Sequence, residues 1–100
     1  MSMELKMRRK VQLYEGKKIV WHMIFLPKGL SRDLKKFFQD LTGGFGSLPV
    51  QVSIGKTTWR TSLFPEGKDG PFLLLLKAEV RRKENIKAGD MVSLTIDILI

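Results

Sequence analysis

The 100-residue chain has no cysteine and one histidine. The first absence excludes disulfides, thiolate metal sites and a cysteine nucleophile together. The second leaves His22 without the companion ligands that a zinc site requires, so neither a metal nor another cofactor is expected. With apolar Val20 and Ile24 beside it on one strand face, His22 reads as a satisfied histidine under the helix that follows its strand. The longest apolar run, Phe72 to Leu76, is far short of the roughly 20 residues of a membrane span. The opening MSMELKMRRK is basic but has no apolar stretch behind it, so no secretory signal and a cytoplasmic location are the expectation. Repeats, linkers and low-complexity tracts are missing too, and residues 1–100 read as one domain. Acidic residues are the scarce charge, 10 against 18 Lys and Arg, which gives a net charge of +8 and a pI near 10.1. Such a balance attracts phosphate polymers, and equally keeps a small domain soluble.

Against those absences stands a strong β pattern. In VQVSIGKTTWRTSLFP, Val50 to Pro65, two alternating runs flank Gly55-Lys56, the Gly-X pair of a two-residue type II′ hairpin turn. That loop sets Ile54 opposite Thr57, Val52 opposite Trp59, Val50 opposite Thr61 and Gln51 opposite Arg60. Trp59 then faces the core and Arg60 and Ser62 face away. The same spacing disposes of two tempting motifs. Gly55-Lys56-Thr57 lacks the earlier glycine of a phosphate-binding loop, since Val50 stands there, and it joins strands rather than opening a helix. Ser62 has no G-x-S-x-G surroundings to make it a nucleophile.

The remaining chain extends the pattern. Residues Glu4 to Tyr14 alternate, with Leu5, Met7, Val11 and Leu13 on one face, but Arg9 falls on that apolar side and predicts a bulge near Arg8-Arg9 or an open barrel end. Lys18 to Leu26 is apolar on both faces, as is Phe72 to Leu76, so each is expected to be covered on both sides. Between them Ser31 reads as a helix N-cap, Asp33 as a first-turn acid, Leu34, Phe37, Phe38 and Leu41 as the buried stripe, and Gly43 as the stop. Gly43 to Pro49 reads as a loop. Lys77 to Asn85 suits either helical turns or a strand end, and Met91 to Ile100 alternates as the last strand. The expectation is a mainly β fold, a small six-stranded β-barrel with one α-helix inserted after strand 2.

The order WHMIFLP, then GFGSLPVQVSIGKTTWRTSLFP, then LLKAEVRRKENIKAGDMVSLTID resembles the family known as domain of unknown function 1905. The likeness runs from about Leu5 to Ile98, and is most specific in TTWRTSLFP and in Lys77 and Arg81 followed by Gly89-Asp90. It departs at Leu76, where many relatives have proline before the lysine. The resemblance implies a small barrel with a packed helix, similar to the double-split barrels of transition-state regulators, and no assigned activity.

Three readings of function follow from the residues. Arg60, Ser62, Lys77 and Arg81, if they converge, form a ligand-binding fork for a carboxylate or phosphate on a non-enzymatic binding module. The structural alternative pairs Arg81 with Asp90 and Arg60 with Glu79. The second reading is a nucleic-acid surface built from Lys6, Arg8, Arg9 and Lys10 with Arg82 and Lys83, Trp21 and Trp59 offering stacking faces. An enzyme acting on a small anion comes third. The partner is thus a small anion or nucleic acid, without a membrane, and the chain is a monomer or a homodimer.

Overall fold

The structure is a computed structural model and describes residues 2–39, 46–67 and 69–99. Seven strands and two helices follow in the order β1 (Ser2–Lys10), β2 (Gln12–Glu15), β3 (Val20–Phe25), α1 (Lys28–Phe37), β4 (Leu48–Ile54), β5 (Thr57–Pro65), β6 (Phe72–Leu75), α2 (Ala78–Glu84) and β7 (Met91–Leu99). The strands form one antiparallel sheet, β1-β7-β4-β5-β6-β3-β2, curled into a half-barrel. Among the described helices none is long and apolar enough to cross a membrane.

The count of seven strands corrects the expected six, and the reason is Val11. Its N–H donates to the Asp90 carbonyl at 2.8 Å and its carbonyl accepts from the Gly89 N–H at 2.8 Å. The first strand therefore pairs with β7 up to this residue and with β3 beyond it. A single bent strand supplies both ends of the sheet. The break lies at Val11, not at Arg8-Arg9, and Arg9 explains why no bulge is needed. The β2–β3 ladder begins at Gln12 opposite Met23, so two positions further on the Phe25 carbonyl has no β2 residue to face. Arg9 Nε donates to that carbonyl at 2.8 Å and stitches β1 to β3. A charge on the apolar face is here a side chain standing in for a backbone donor.

The opening hairpin folds in the predicted register, Ile54 with Thr57, Val52 with Trp59 and Gln51 with Arg60. Gly55 has φ +56°, and Lys56 is not among the positive-φ residues, the pattern of a type II′ turn. Alternation delivers the core as expected. Leu48, Val50, Val52 and Ile54 from β4, Leu63 from β5 and Val92, Leu94, Ile96 and Ile98 from β7 are buried together with Ile24, Leu26, Phe72 and Leu74. Each contributes about 1.5–3 kcal/mol by leaving water.

The helices differ from the expectation. There are two, not one, and α1 starts at Lys28 rather than after Ser31. Pro27 has the fixed φ that precedes a helix, and its carbonyl accepts the Ser31 N–H at 2.9 Å. Ser31 is then inside the helix, buried, with its Oγ accepting the Phe72 N–H at 3.0 Å. Asp33 falls beyond the first turn. Leu34 and Phe38 join the core, while Phe37 is 73% exposed. Leu41 and, of the expected loop, residues 43–45, the expected stop Gly43 among them, lie outside the described residues; Leu48 and Pro49 already belong to β4. For Lys77 to Asn85 the helical alternative holds, because Asn85 adopts the left-handed conformation at φ +53°. Ile86 N–H then reaches the Arg81 carbonyl at 2.8 Å and buries its side chain, the paired hydrogen bond and apolar contact that close a helix.

Since the α1 side chains enter the inner core, the outer face of β3 and β6 is covered only in part rather than fully as expected, with Met23 buried on it. Trp21 and, beside it on β2, Tyr14 are exposed, and Phe25, Leu73 and Leu75 are half-buried.

Candidate functional site

The fold separates the cations singled out from the sequence. On β5 the parity of the strand puts Thr57, Trp59 and Leu63 inward and Arg60 and Ser62 outward, where Arg60 lies across from Gln51 and Ser62 from Pro49. Helix α2 meets β5 on the other side, through Thr57 Oγ1, which donates to Glu84 Oε2 at 2.6 Å. Arg60 with Ser62 and Arg81 with Lys77 therefore stand on opposite faces of β5. Neither structural pairing is present. Glu79 bonds Lys83 at 3.1 Å, one helical turn on, and Asp90 Oδ2 accepts the Lys87 N–H at 2.8 Å. The Lys83 and neighbouring cations hold the Glu79 carboxyl below the usual range.

Arg81 turns inward instead. Its Nε donates to the Leu76 carbonyl at 3.3 Å and its Nη1 lies 3.4 Å from His22 Nε2, while Leu76 N–H donates to the His22 carbonyl at 2.9 Å. Because a guanidinium only donates, His22 Nε2 accepts and the ring proton sits on Nδ1. Nδ1 is buried without a partner among the described residues, as is Trp59 Nε1. Desolvation, then the positive charge of Arg81, lowers the His22 pKa below its ordinary value of 6.5. His22 is thus neutral at pH 7, held by α2 rather than by the first helix. The sign of the linkage is fixed: the unfolded chain takes up a proton near pH 6.5 that the folded chain resists, so stability is full above that pH and falls below it. Urea unfolding between about pH 7.5 and 5.5 is expected to show this loss, and His22→Gln to flatten it, leaving only the carboxylate losses at lower pH.

Of the second set, Lys6, Arg8 and Lys10 alternate on the exposed outer face of β1, whereas Arg9 is committed to the Phe25 carbonyl. The pairing continues Lys6 into Thr95, Ser53 and Thr58, a row of hydroxyls across the sheet in which Ser53 and Thr58 Oγ atoms are 2.8 Å apart. Arg82 and Lys83 are exposed on α2, which meets β5 through Thr57, a residue facing the other side of the sheet from this row.

A further group of cations, none of them among the site residues singled out from the sequence, lies on α1. Lys28, Arg32, Lys35 and Lys36 of α1 line an open cleft of about 600 Å³ against Gln39, Asp69 and Gly70. Spacings of four, seven and eight residues set them along one helical face. Lys35 donates to the Gly70 carbonyl and lies 5.5 Å from the centre of the Phe72 ring, which anchors the helix to the β5–β6 turn and fixes the far wall. Lys28, Arg32 and Lys36 form no ion pair among the described residues. The signal available in the sequence was the i, i+4, i+8 repeat of charge; the opposing wall, 33 residues or more further on, was not visible there. No three His, Asp or Glu side chains among the described residues gather closely enough to hold a metal ion.

A small antiparallel half-barrel with two helices and a basic cleft is the class these features define. The family model described as Domain of unknown function (DUF1905) matches residues 8–96, and the chain belongs to that family. Among curated proteins, no match was found.

Proposed function

We propose that the domain is a non-enzymatic binding module that accepts a small phosphorylated or carboxylated anion in the α1 cleft. The observation that carries this reading is the set of cations on one helical face, with Asp69 the one acid among the described residues that line the cleft. Arg32 supplies a planar fork suited to two oxygens at once, with Lys28 and Lys36 as flanking point charges. Arg60 with Ser62, and Lys77 with Arg81, are separate smaller spots that could add a second anion contact but not the same one.

A nucleic-acid reading has a specific observation of its own, the alternation of Lys6, Arg8 and Lys10 beside the hydroxyl row on the outer sheet face. The two readings part in a single titration followed by amide NMR at about 50 mM salt, with pyrophosphate and with short single-stranded and duplex DNA. Pyrophosphate is expected to shift α1 and Gly70 amides, and Arg32→Ala is expected to weaken its binding about tenfold or more, as loss of a charge-assisted contact does. Shifts on β1 and β7 with DNA, falling steeply with added salt, would instead support the nucleic-acid surface. Absence of any α1 shift at millimolar pyrophosphate would remove the cleft reading.

A further inference from the structure

We infer that the β2 edge is a self-pairing surface through which two copies of this chain join their sheets, with Tyr14 on the two-fold axis. This goes beyond anion binding and uses none of the α1 residues.

The inference starts from which backbone groups of β2 point outward. Gly16 N–H donates to the Ile19 carbonyl at 2.8 Å, closing the β2–β3 turn, so Gly16, Tyr14 and Gln12 direct their N–H and C=O groups at β3. Leu13 and Glu15 direct theirs the other way. Val11 has the same outward parity, and its two groups are taken by Gly89 and Asp90. The β5–β6–β3 side agrees, because Leu76 N–H to His22 and Leu26 N–H to Phe72 put the even residues of β3 toward β6 and leave the odd ones for β2. Leu13 and Glu15 thus continue a ladder that Val11 begins, and no strand among the described residues meets them.

The other end of the sheet is protected in the usual way, with Glu4, Lys6, Arg8 and Lys10 exposed along β1. On β2 the two central residues are Leu13, 42% exposed, and Tyr14, 59% exposed. Ile19, Val20 and Trp21 across the hairpin are bare as well. Five side chains about half-exposed offer on the order of 500 Å² per copy over the two faces of the edge, so roughly 1,000 Å² is the upper limit for two copies, the small end of specific interfaces.

Geometry selects the second copy's register. A two-fold axis perpendicular to the sheet must keep each residue on its own face, which requires a register centred on a residue; in the middle of β2 these are Leu13 and Tyr14. Centring on Leu13 would call on Val11 to bond the partner's Glu15, but Val11 is already engaged. Centring on Tyr14 pairs Leu13 with the partner's Glu15 and the reverse, using all four outward groups. Tyr14 then meets the partner's Tyr14 at a non-hydrogen-bonded position, where side chains come closest. Trp21 pairs with Tyr14 within each copy, so an aromatic row, Trp21, Tyr14, Tyr14, Trp21, crosses the junction on the outer face. The net charge of +8 per chain opposes association, so salt should tighten the contact by screening.

Sedimentation at several hundred micromolar is expected to give twice the 11.5 kDa chain mass, increasingly so with added salt. Leu13→Pro removes only an outward N–H and is expected to be a folded monomer. In a chain without cysteine, Tyr14→Cys is expected to form a symmetric disulfide on oxidation, since Cα atoms at such a position lie about 4.5 Å apart, whereas Gln12→Cys is not. A wild-type monomer at that concentration, a dimeric Leu13→Pro, or cross-linking of Gln12→Cys as fast as Tyr14→Cys overturns the proposal. If Leu13→Pro fails to fold, the wild-type mass and the two cysteine variants still decide it.

Discussion

Phe72→Ala is expected to lower the unfolding free energy by about 3–5 kcal/mol, the range for deleting a fully enclosed aromatic side chain. Against a typical total of about 5–15 kcal/mol, that is enough to leave the domain marginal. Phe72 is fully buried, and three otherwise separate parts converge on it. Its N–H bonds Ser31 of α1, its carbonyl accepts Leu26 N–H at the end of β3, and it pairs with Pro65 of β5. The Lys35 ammonium near its ring adds a cation–π contact of about 0.5–1 kcal/mol. The cavity left by alanine cannot be filled by collapse, because strands on both sides fix the backbone. Phe72→Leu, which retains most of the volume, should cost well under half as much. Urea unfolding of the two variants checks the prediction; equal small losses would mean that the α1 contact, not the buried ring, holds this end of the barrel.

Arg9→Met is expected to cost about 1.5–3 kcal/mol, the contribution of a hydrogen bond to a charged group together with the orphaned carbonyl it leaves. Met keeps the length and apolar stem of the side chain but has no donor for Phe25 O. Arg8→Met is the matched comparison, since Arg8 is exposed one position away, and it should change stability by no more than about 0.5 kcal/mol. Thermal or urea unfolding of the pair separates the seam from generic charge. If the two variants lose the same amount, Arg9 is merely one more surface cation, and its place in a nucleic-acid surface regains interest.

Legibility in the sequence followed the range of the interaction. The β4–β5 hairpin was readable to the residue because a two-residue turn fixes register, and period-two alternation fixes faces. The core of β4, β5 and β7 was readable for the same reason. Reading of α1 faltered where two local rules competed. Ser31 is a good N-cap residue, yet Pro27 already sets the helix entry, and the Ser31 hydroxyl serves Phe72, 41 residues away. Apolar residues on both faces of β3 predict cover on both, but periodicity says only that a surface is apolar, not what lies over it. The cleft was hidden because its two walls come from α1 and from the turn before β6.

By itself, then, the sequence determined the mainly β character, the hairpin register, the alternation of β4, β5 and β7, and membership in a family through motifs spread over nearly the whole chain. Those properties rest on neighbours within a few residues, whose sterics and spacing act before the chain is compact. Only the tertiary structure decided that the first strand breaks at Val11, that Arg9 closes the seam, that Arg60 and Arg81 lie apart, and that Lys28, Arg32 and Lys36 face a wall. Each of these depends on a backbone group or side chain brought from a distant part of the chain, and no local pattern encodes where that partner will arrive.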